Sequence, residues 1–406
     1  MADIKMGQSP NSQYYNLEGV GYPFLQGCAQ FGKTYPRTSI FCSMPMRLAP
    51  RGAILYSVRA PVGEINVADQ DYCIGRGLAA VEAKSVDSRL LYYLLLYTRR
   101  QLTRIAQGST FEAISSADLA ECVIPDLGDL STQTAIADIL ATVDRAIEQT
   151  EALIAKQRRI KAGLLHDLLT RGINEQGQLR DPATHRFKES ALGLIPEEWE
   201  VSSVLAQFEI ATGFTLGQHR RPKNNKRKYL RVANVQREKI RLDDIAELEA
   251  QDPEMAGRTL REDDLLVVEG HASPDEIGRC ARVTSEAAGL TFQNHLFRLR
   301  SLSLVARFSL AWLNSEWVRG YWRQLCGTSS GLNTINQTML SALPMPVPKV
   351  NEQLAISAML DIEDTTMSVV QSQNEKLHRL KIGLMQDLLS GRVSVAGMAD
   401  SEGRID

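Results

Sequence analysis

Lys156–Leu169 reads KQRRIKAGLLHDLL, and Lys376–Leu389 reads KLHRLKIGLMQDLL. A shift of 220 positions lays one on the other without a gap, and the match runs back to Ser131 and Asn351. Thirteen of those 39 positions are identical. They are Gln133/Gln353, Ala135/Ala355, Ile136/Ile356, Leu140/Leu360, Asp144/Asp364, Lys156/Lys376, Arg159/Arg379, Lys161/Lys381, Gly163/Gly383, Leu164/Leu384, Asp167/Asp387, Leu168/Leu388 and Leu169/Leu389. An internal repeat outranks any local motif, because it sets the architecture.

Both copies read as one long helix. Ile136, Leu140, Val143, Ile147, Thr150, Ile154, Gln157, Lys161, Leu164 and Leu168 step by four and three alternately. Ile356, Leu360, Glu363, Met367, Val370, Asn374, Leu377, Lys381, Leu384 and Leu388 keep the same beat. That 3.5-residue period is the seam of a coiled coil. At 1.5 Å per residue each helix spans roughly 60 Å. Ser131 and Asn351 suit N-caps, and Gly172 and Gly391 suit C-terminal caps. Glu363 and Asn374, polar within the seam, are expected to fix register at some cost in stability.

The repeat reaches upstream. Gly108-Ser109, Ile114, Leu119 and Pro125 parallel Gly327-Thr328, Ile335, Leu340 and Pro346. A helical stretch precedes each glycine, Ser88 to Ala106 and Ser309 to Leu325. Earlier still lie strand-like runs: Ala53 to Val58 and Gly77 to Val81, then Leu265 to Val268 and His295 to Leu299. The expected fold is α+β: two mixed α/β globules, separated by two long antiparallel coiled-coil helices in a pseudo-twofold repeat. The boundaries read as a first globule over 1–127 and a first long helix over 128–172. A turn-rich linker over 173–190 leads to a second globule over 191–348, a second long helix over 349–392 and a tail over 393–406.

Composition is that of an ordinary globular chain: 44% hydrophobic, 23% charged, formal net charge -2 over 406 residues. This argues against a wholly DNA-coating surface but leaves room for a local basic stripe. The opening MADIKMGQSP has no apolar signal-type core, and the longest apolar run, Leu90 to Tyr97, falls far short of the ~20 residues of a membrane span. The reading is a cytoplasmic protein with no membrane partner. The six cysteines are scattered without a C-x-x-C pair and are expected to be reduced thiols holding no metal.

This organisation resembles the specificity subunit of type I restriction–modification systems over nearly the whole chain. Local motifs carry the likeness. They are Ile195-Pro196-x-x-Trp199 opening the second half, Tyr229 to Val235 within it, the Pro344-x-Pro346-x-Pro348 segment with Gln353 after it, and the closing Lys-x-Gly-Leu-x-x-Asp-Leu-Leu of each helix. The resemblance implies that each globule is a target recognition domain reading half of a split site in double-stranded DNA. It implies helices that set the spacer and dock two methyltransferase (modification) subunits, with restriction/translocase subunits completing the complex. S-adenosylmethionine, ATP and Mg are then expected on those partners, and no cofactor in this chain. One departure stands out. The second half opens with the Ile195–Trp199 segment before Ile210-Ala211-Thr212-Gly213, whereas the first starts almost directly at Ile4-Lys5-Met6-Gly7. Either the first globule is short of an edge element, or that element comes from elsewhere in the fold.

DNA affinity comes mainly from cations on phosphates, and specificity from side chains at base edges. Arg220, Arg221, Lys223, Lys226, Arg227, Lys228 and Arg231 follow one another with no acid between, in a loop-like stretch with Asn224 and Asn225, just before a strand-like Tyr229 to Val235. A plain solvated charge run is the bland alternative. The loop Thr328, Ser329, Ser330 to Asn333 and its counterpart Ser109-Thr110 offer hydroxyls and amides beside glycine; a simple helix cap and turn is the competing reading. The first half is less basic, with Lys33, Arg37, Arg59 and Arg76, and also Arg47 and Arg51, as contributors. Gln26, Asn234 and Gln236 are candidate base readers, because carboxamides pair with adenine.

No enzyme is legible. The Asn/Asp-Pro-Pro-aromatic motif of an amino-methyltransferase is absent, and Gly19-Val20-Gly21 reads as a turn. Glu82-Ala83-Lys84 and Glu238-Lys239 are isolated pairs rather than a nuclease metal site. No P-loop, His-Glu-x-x-His or G-x-S-x-G pattern occurs. Catalysis is expected from partners. The alternative is a coiled-coil assembly scaffold that reads no DNA, against which the basic run argues.

Overall fold

The structure is a computed structural model that describes residues 1–107, 113–326 and 333–395. It divides into two units, Met1–Leu153 with Gln371–Asp406, and Ile154–Val370. The division cuts both long helices, Leu130–Thr170 and Val350–Leu389, so each helix gives one half to each unit.

The two units follow one plan. In the first, an antiparallel sheet runs in the order Ala2–Met6, Leu78–Ala83, Ile54–Ser57, Ile65–Val67. In the second the order is Phe208–Thr212, Leu296–Ser301, Leu265–Val268, Cys280–Arg282. The inner strands Ile54–Ser57 and Leu265–Val268 are buried throughout, which is why they read as unbroken apolar runs rather than alternations. A short parallel pair recurs as well, Tyr22–Leu25 with Tyr72–Ile74 and Lys226–Leu230 with Thr291–Phe292. Each pair has an antiparallel neighbour, Phe41–Cys42 or Ala246–Glu249. Glycine follows the first strand of both sheets for one reason. A Cβ on Gly7 would sit 2.2 Å from the Gly75 carbonyl oxygen, and one on Gly213 2.0 Å from that of Phe292.

Helix Ser88–Gln107 forms as the sequence predicts. Its counterpart does not. In place of one helix from Ser309 to Leu325 there are two, Ala306–Leu313 and Glu316–Leu325. The break is built in: Ser315 caps the second helix by accepting from the Val318 amide, and the Asn314 side chain bonds both the Cys280 amide and its carbonyl. The long helices begin one residue before the expected caps. Asp129 takes the Thr132 amide at 2.9 Å, so it acts where Ser131 was expected. Gly172 and Gly391 do end the helices in the left-handed region, at φ 60° and 72°.

Every seam position named from the sequence is buried or half-buried. Within each unit the helix halves run antiparallel. Leu388 and Leu389 share a core with Ile136 and Leu140, while Lys381 meets Asp144 at 2.6 Å. In the other unit Leu168 and Leu169 share a core with Ile356 and Leu360, while Lys161 meets Asp364 at 2.6 Å. The two ion pairs are images of each other under the 220-residue shift. Glu363 and Asn374 make no such pair, and their Oε1 and Oδ1 atoms are buried without a hydrogen bond.

A repeated glutamine ties each globule to its helix. Gln133 accepts from the Asp87 amide at 3.1 Å and donates to the Gly128 carbonyl at 2.9 Å. Gln353 accepts from the Val305 amide at 2.9 Å and donates to the Pro348 carbonyl at 2.8 Å. In the second unit the Ile195–Trp199 segment adds a further clasp. Buried Arg180 pairs with Glu352 at 2.5 Å, and the Trp199 indole donates to the same carboxylate at 3.1 Å. The strand Glu200–Ser203 then pairs with Pro344–Val347, whereas the equivalent 122–128 stretch of the first unit is not in a strand. There the described tail contributes instead, with Val395 buried in the core.

Replacing Gln353 by alanine strands a buried amide and a buried carbonyl, at a cost of about 1–3 kcal/mol. Urea unfolding of Gln353→Ala measures this. A loss under about 0.5 kcal/mol, the range of indifferent surface changes, would contradict the tie.

Candidate nucleic-acid interface

The basic run of the second unit is a loop only over 221–225. Gln218–Arg220 is a 3-10 turn, Lys226–Leu230 is a strand, and the expected strand Tyr229 to Val235 ends at Leu230, before the turn Val232–Asn234. The strand's partner, Ala246–Glu249, brings acids through space, with Lys226 opposite Glu249 and Lys228 opposite Glu247. Lys226 reaches Glu247 at 3.9 Å, Arg231 reaches Asp244 at 2.7 Å, and Arg227 pairs with Asp252. Arg220 pairs with Glu254 at 2.6 Å and lies over the Phe214 ring. Its hydrogen bond, with the Gln251 amide, pulls the Glu254 carboxyl down to about 2. Glu249 accepts the backbone amides of Lys223 and Asn225. What stays exposed without an ion pair is Arg221, Lys223 and Lys228, beside the exposed Asn224 and Asn225.

The first unit reverses the impression its sequence gives. Arg37, Arg47, Arg51, Arg59 and Arg76 are all exposed, and none has an ion pair. Lys33 is the exception, held at 2.5 Å by Glu151 of the long helix, and that bond is the leading cause of the lowered Glu151 pKa. Lys33 lines one cleft of about 640 Å³, together with Gln26, Gln30, Pro61 and Glu64. Arg59 adjoins Ala60 on its rim, the Arg37 amide bonds Gln30, and Arg76 follows the strand whose end touches Gln26. The exposed Gln26 carboxamide is pre-oriented by Ser9 Oγ, which also takes the Arg76 amide. The cleft thus sets the polar Gln26, Gln30, Lys33 and Glu64 among apolar side chains such as Phe31 and Ile65.

The other proposed base readers fare differently. Asn234 is buried, bonding the Arg231 amide and the carbonyls of Arg241 and Asp244, and Gln236 donates to Ala233. Asn333 is also buried, on a two-residue strand opposite His271, with its amide on Ala272. Ser109, Thr110, Thr328, Ser329 and Ser330 lie outside the described residues. The chain just after each of those stretches is pinned in equivalent places, Ala113 against Arg59 and Asn333 against His271. His271 was not singled out in the sequence. Only its 220-residue partnership with the Arg59 pairing, through Ala113 and Asn333, marks it.

Lys161 and Lys381 also went unremarked as charges. For Lys161, burial works against the charged form, but the Asp364 hydrogen bond and the Glu238 charge outweigh it and raise the pKa. Among the described residues no cluster of three His, Cys, Asp or Glu could hold a metal, and no helix is long and apolar enough to cross a membrane.

Known proteins are similar to this chain in sequence and in fold. A sequence model of the type I restriction modification DNA specificity domain matches residues 1–156. The MjaX specificity subunit of a type I restriction enzyme of Methanocaldococcus jannaschii is 40% identical over 169 residues, 41% of this chain and 40% of that protein. The MjaVIII specificity subunit of the same organism is 24% identical over 320 residues, 78% of this chain and 72% of that one. The first of these matches thus spans about two fifths of the relative's length. In solved structures, the type I S subunit from M. genitalium aligns with a TM-score of 0.55 at 16% identity, over 96% of this chain and 93% of that one. A chain from a structure of type I R-M complex assembly aligns at 0.57 and 14% identity, over 96% and 97%. Over its first 156 residues this chain is thus similar to the type I restriction modification DNA specificity domain, and along nearly its whole length it shares the fold of solved type I S subunits.

Proposed function

We propose that this chain reads a two-part DNA site, one half per globule, and holds the catalytic subunits of a type I complex without doing chemistry itself. The observation that carries the reading is the repetition of one globule plan in both units, each fastened to a long helix by the same glutamine. A protein built twice suits a target with two halves, about one helical turn apart on the duplex. The exposed, unpaired arginines of the first unit and Arg221, Lys223 and Lys228 of the second supply phosphate contacts. Modification subunits bring S-adenosylmethionine, and restriction/translocase subunits bring ATP and Mg. The long helices set the spacer between half-sites.

The pairing pattern separates this reading from a charge-run reading of the same sequence. Arg59→Ala and Arg76→Ala should each flatten the salt dependence of binding to random-sequence duplex by about one unit in log K against log salt. Arg227→Ala should leave the slope unchanged. Glu254 is ionised in the fold down to about 2, below its ordinary value, so its pair with Arg220 is fully in place above the unfolded-state value of about 4.3 and fails only as pH falls toward 2. Arg220→Ala should therefore be silent in the salt slope throughout pH 5 to 8. A slope lost with Arg220 and kept without Arg59 and Arg76 would contradict the assignment.

Mapping methylated adenines in host DNA tests the whole reading, since it should return a split motif. A contiguous motif would overturn it. The purified chain given Mg or S-adenosylmethionine should neither cut nor methylate DNA, and no DNA footprint at all would favour the assembly-scaffold alternative.

A further inference from the structure

In the first unit, Leu17 is 74% exposed and Val20 57%, on the turn that joins strand Tyr15–Asn16 to strand Tyr22–Leu25. Met44 and Met46, at 58% and 51%, lie on the loop that follows strand Phe41–Cys42. The two loops adjoin, since a Cβ on Gly21 would stand 2.1 Å from the Cys42 carbonyl oxygen and 2.7 Å from the Ser43 Cα. The turn is also held in place. The Asn16 side chain accepts from the Val20 amide and donates to the Val20 carbonyl, both at 2.9 Å, and the Glu18 carboxylate accepts from the Leu17 amide at 3.0 Å. Single apolar residues on a surface need no explanation, but a group of them on adjoining, pre-ordered loops marks a contact surface.

The charges around the group narrow what it contacts. Arg47 follows Met46, and Glu18 stands between Leu17 and Val20; both are exposed, and neither has an ion pair among the described residues. The equivalent place in the second unit, the loop just before strand Lys226–Leu230, reads Arg221-Pro222-Lys223-Asn224-Asn225. One position on a shared frame thus carries cations and carboxamides in one unit, and apolar side chains with a carboxylate in the other. We infer that Leu17, Val20, Met44 and Met46 form a reading tip that enters the major groove and packs on the C5-methyl groups of thymine. The inference rests on the proposed reading of a split site and names the chemistry of one half. Phosphate gains nothing from an apolar tip and repels Glu18. The minor groove presents neither the thymine methyl nor the cytosine amino group, whereas the major groove presents both, so Glu18 as well as its apolar neighbours has an answer there. Arg47 at the edge of the tip is placed for the flanking phosphates. A protein partner would also cover the apolar side chains, but it would leave the equivalence with Arg221–Asn225 without a reason.

The test titrates the full chain, assembled with its modification subunits, against duplexes carrying the split motif. Thymines of one half-site at a time are replaced by deoxyuridine, which removes the C5-methyl and nothing else. One half-site should respond, with affinity falling roughly fourfold for each buried methyl lost. Leu17→Ser/Val20→Ser/Met44→Ser/Met46→Ser should bind thymine and deoxyuridine duplexes alike at that half-site. Its melting temperature should stay close to that of the unaltered chain, because all of these side chains are exposed. Deoxyuridine tolerated in both half-sites by the unaltered complex would overturn the inference and leave split-site reading standing. A response that survives undiminished in the variant would overturn it too. A variant that loses modification subunits in native mass spectrometry while keeping the deoxyuridine response would assign the tip to a protein contact, which also overturns the inference. An unaltered complex with no preference for the motif over a scrambled duplex would fail the reading of DNA itself.

Discussion

A seam of leucine and isoleucine at a 3.5-residue period can slide by a heptad and still bury apolar surface. What opposes sliding here is a lysine in each seam that meets one aspartate of the other helix. Lys161 and Lys381 are half-buried at positions where a helix core wants an aliphatic side chain, and each meets an aspartate of the other helix at 2.6 Å. The same aspartates also face the globules. Asp144 accepts from the Tyr93 hydroxyl at 2.8 Å, and Asp364 accepts from the Arg307 guanidinium at 2.5 Å. One carboxylate per repeat therefore sets helix register and globule position together. Shift either element and a half-buried charge loses its counter-ion, which a low-dielectric site tolerates poorly.

The long helices were legible because their information is local and doubled. Periodicity, terminal glycines and thirteen identities all sit on one stretch of chain, and each supports the others. The globules were legible in outline, since Ile54–Ser57 and Leu265–Val268 advertise buried strands by unbroken apolar runs. What failed was whatever depended on a partner distant in sequence. Asn314 breaks a helix because Cys280 lies beside it, whereas the Asp129 cap, three residues from the Thr132 amide it accepts, is a local signal that Ser131 obscures.

The charge reading was incomplete for the same physical reason. Between Arg220 and Arg231 the sequence holds no acid, so the run looked free. The antiparallel partner strand and the turn after it carry Glu247, Glu249, Asp252 and Glu254 to it. A hairpin-like pairing converts a one-dimensional cluster into a set of ion pairs. Such exposed pairs add little stability, but they remove the cations from the pool available to phosphate. Among the described residues the scattered candidate arginines of the first unit have no such ion pairs, which density along the sequence does not reveal.

Comparison of the units shows where sequence is held and where it is released. The tying glutamine, the aspartate–lysine pairs and the glycine after the first strand recur, and all of them fix the backbone. The strand that lies parallel to its neighbour in each unit does not recur in chemistry. It is Tyr22-Pro23-Phe24-Leu25 in one and Lys226-Arg227-Lys228-Tyr229-Leu230 in the other, each on the same frame and beside an equivalent short strand. A frame conserved under divergent side chains is what a reader of two different half-sites requires, because the backbone must present each surface to the same duplex geometry while the bases differ. The duplication thus accounts for both sides of the proposed role. Identity lies in the parts that hold position, and difference lies in the parts free to choose a sequence.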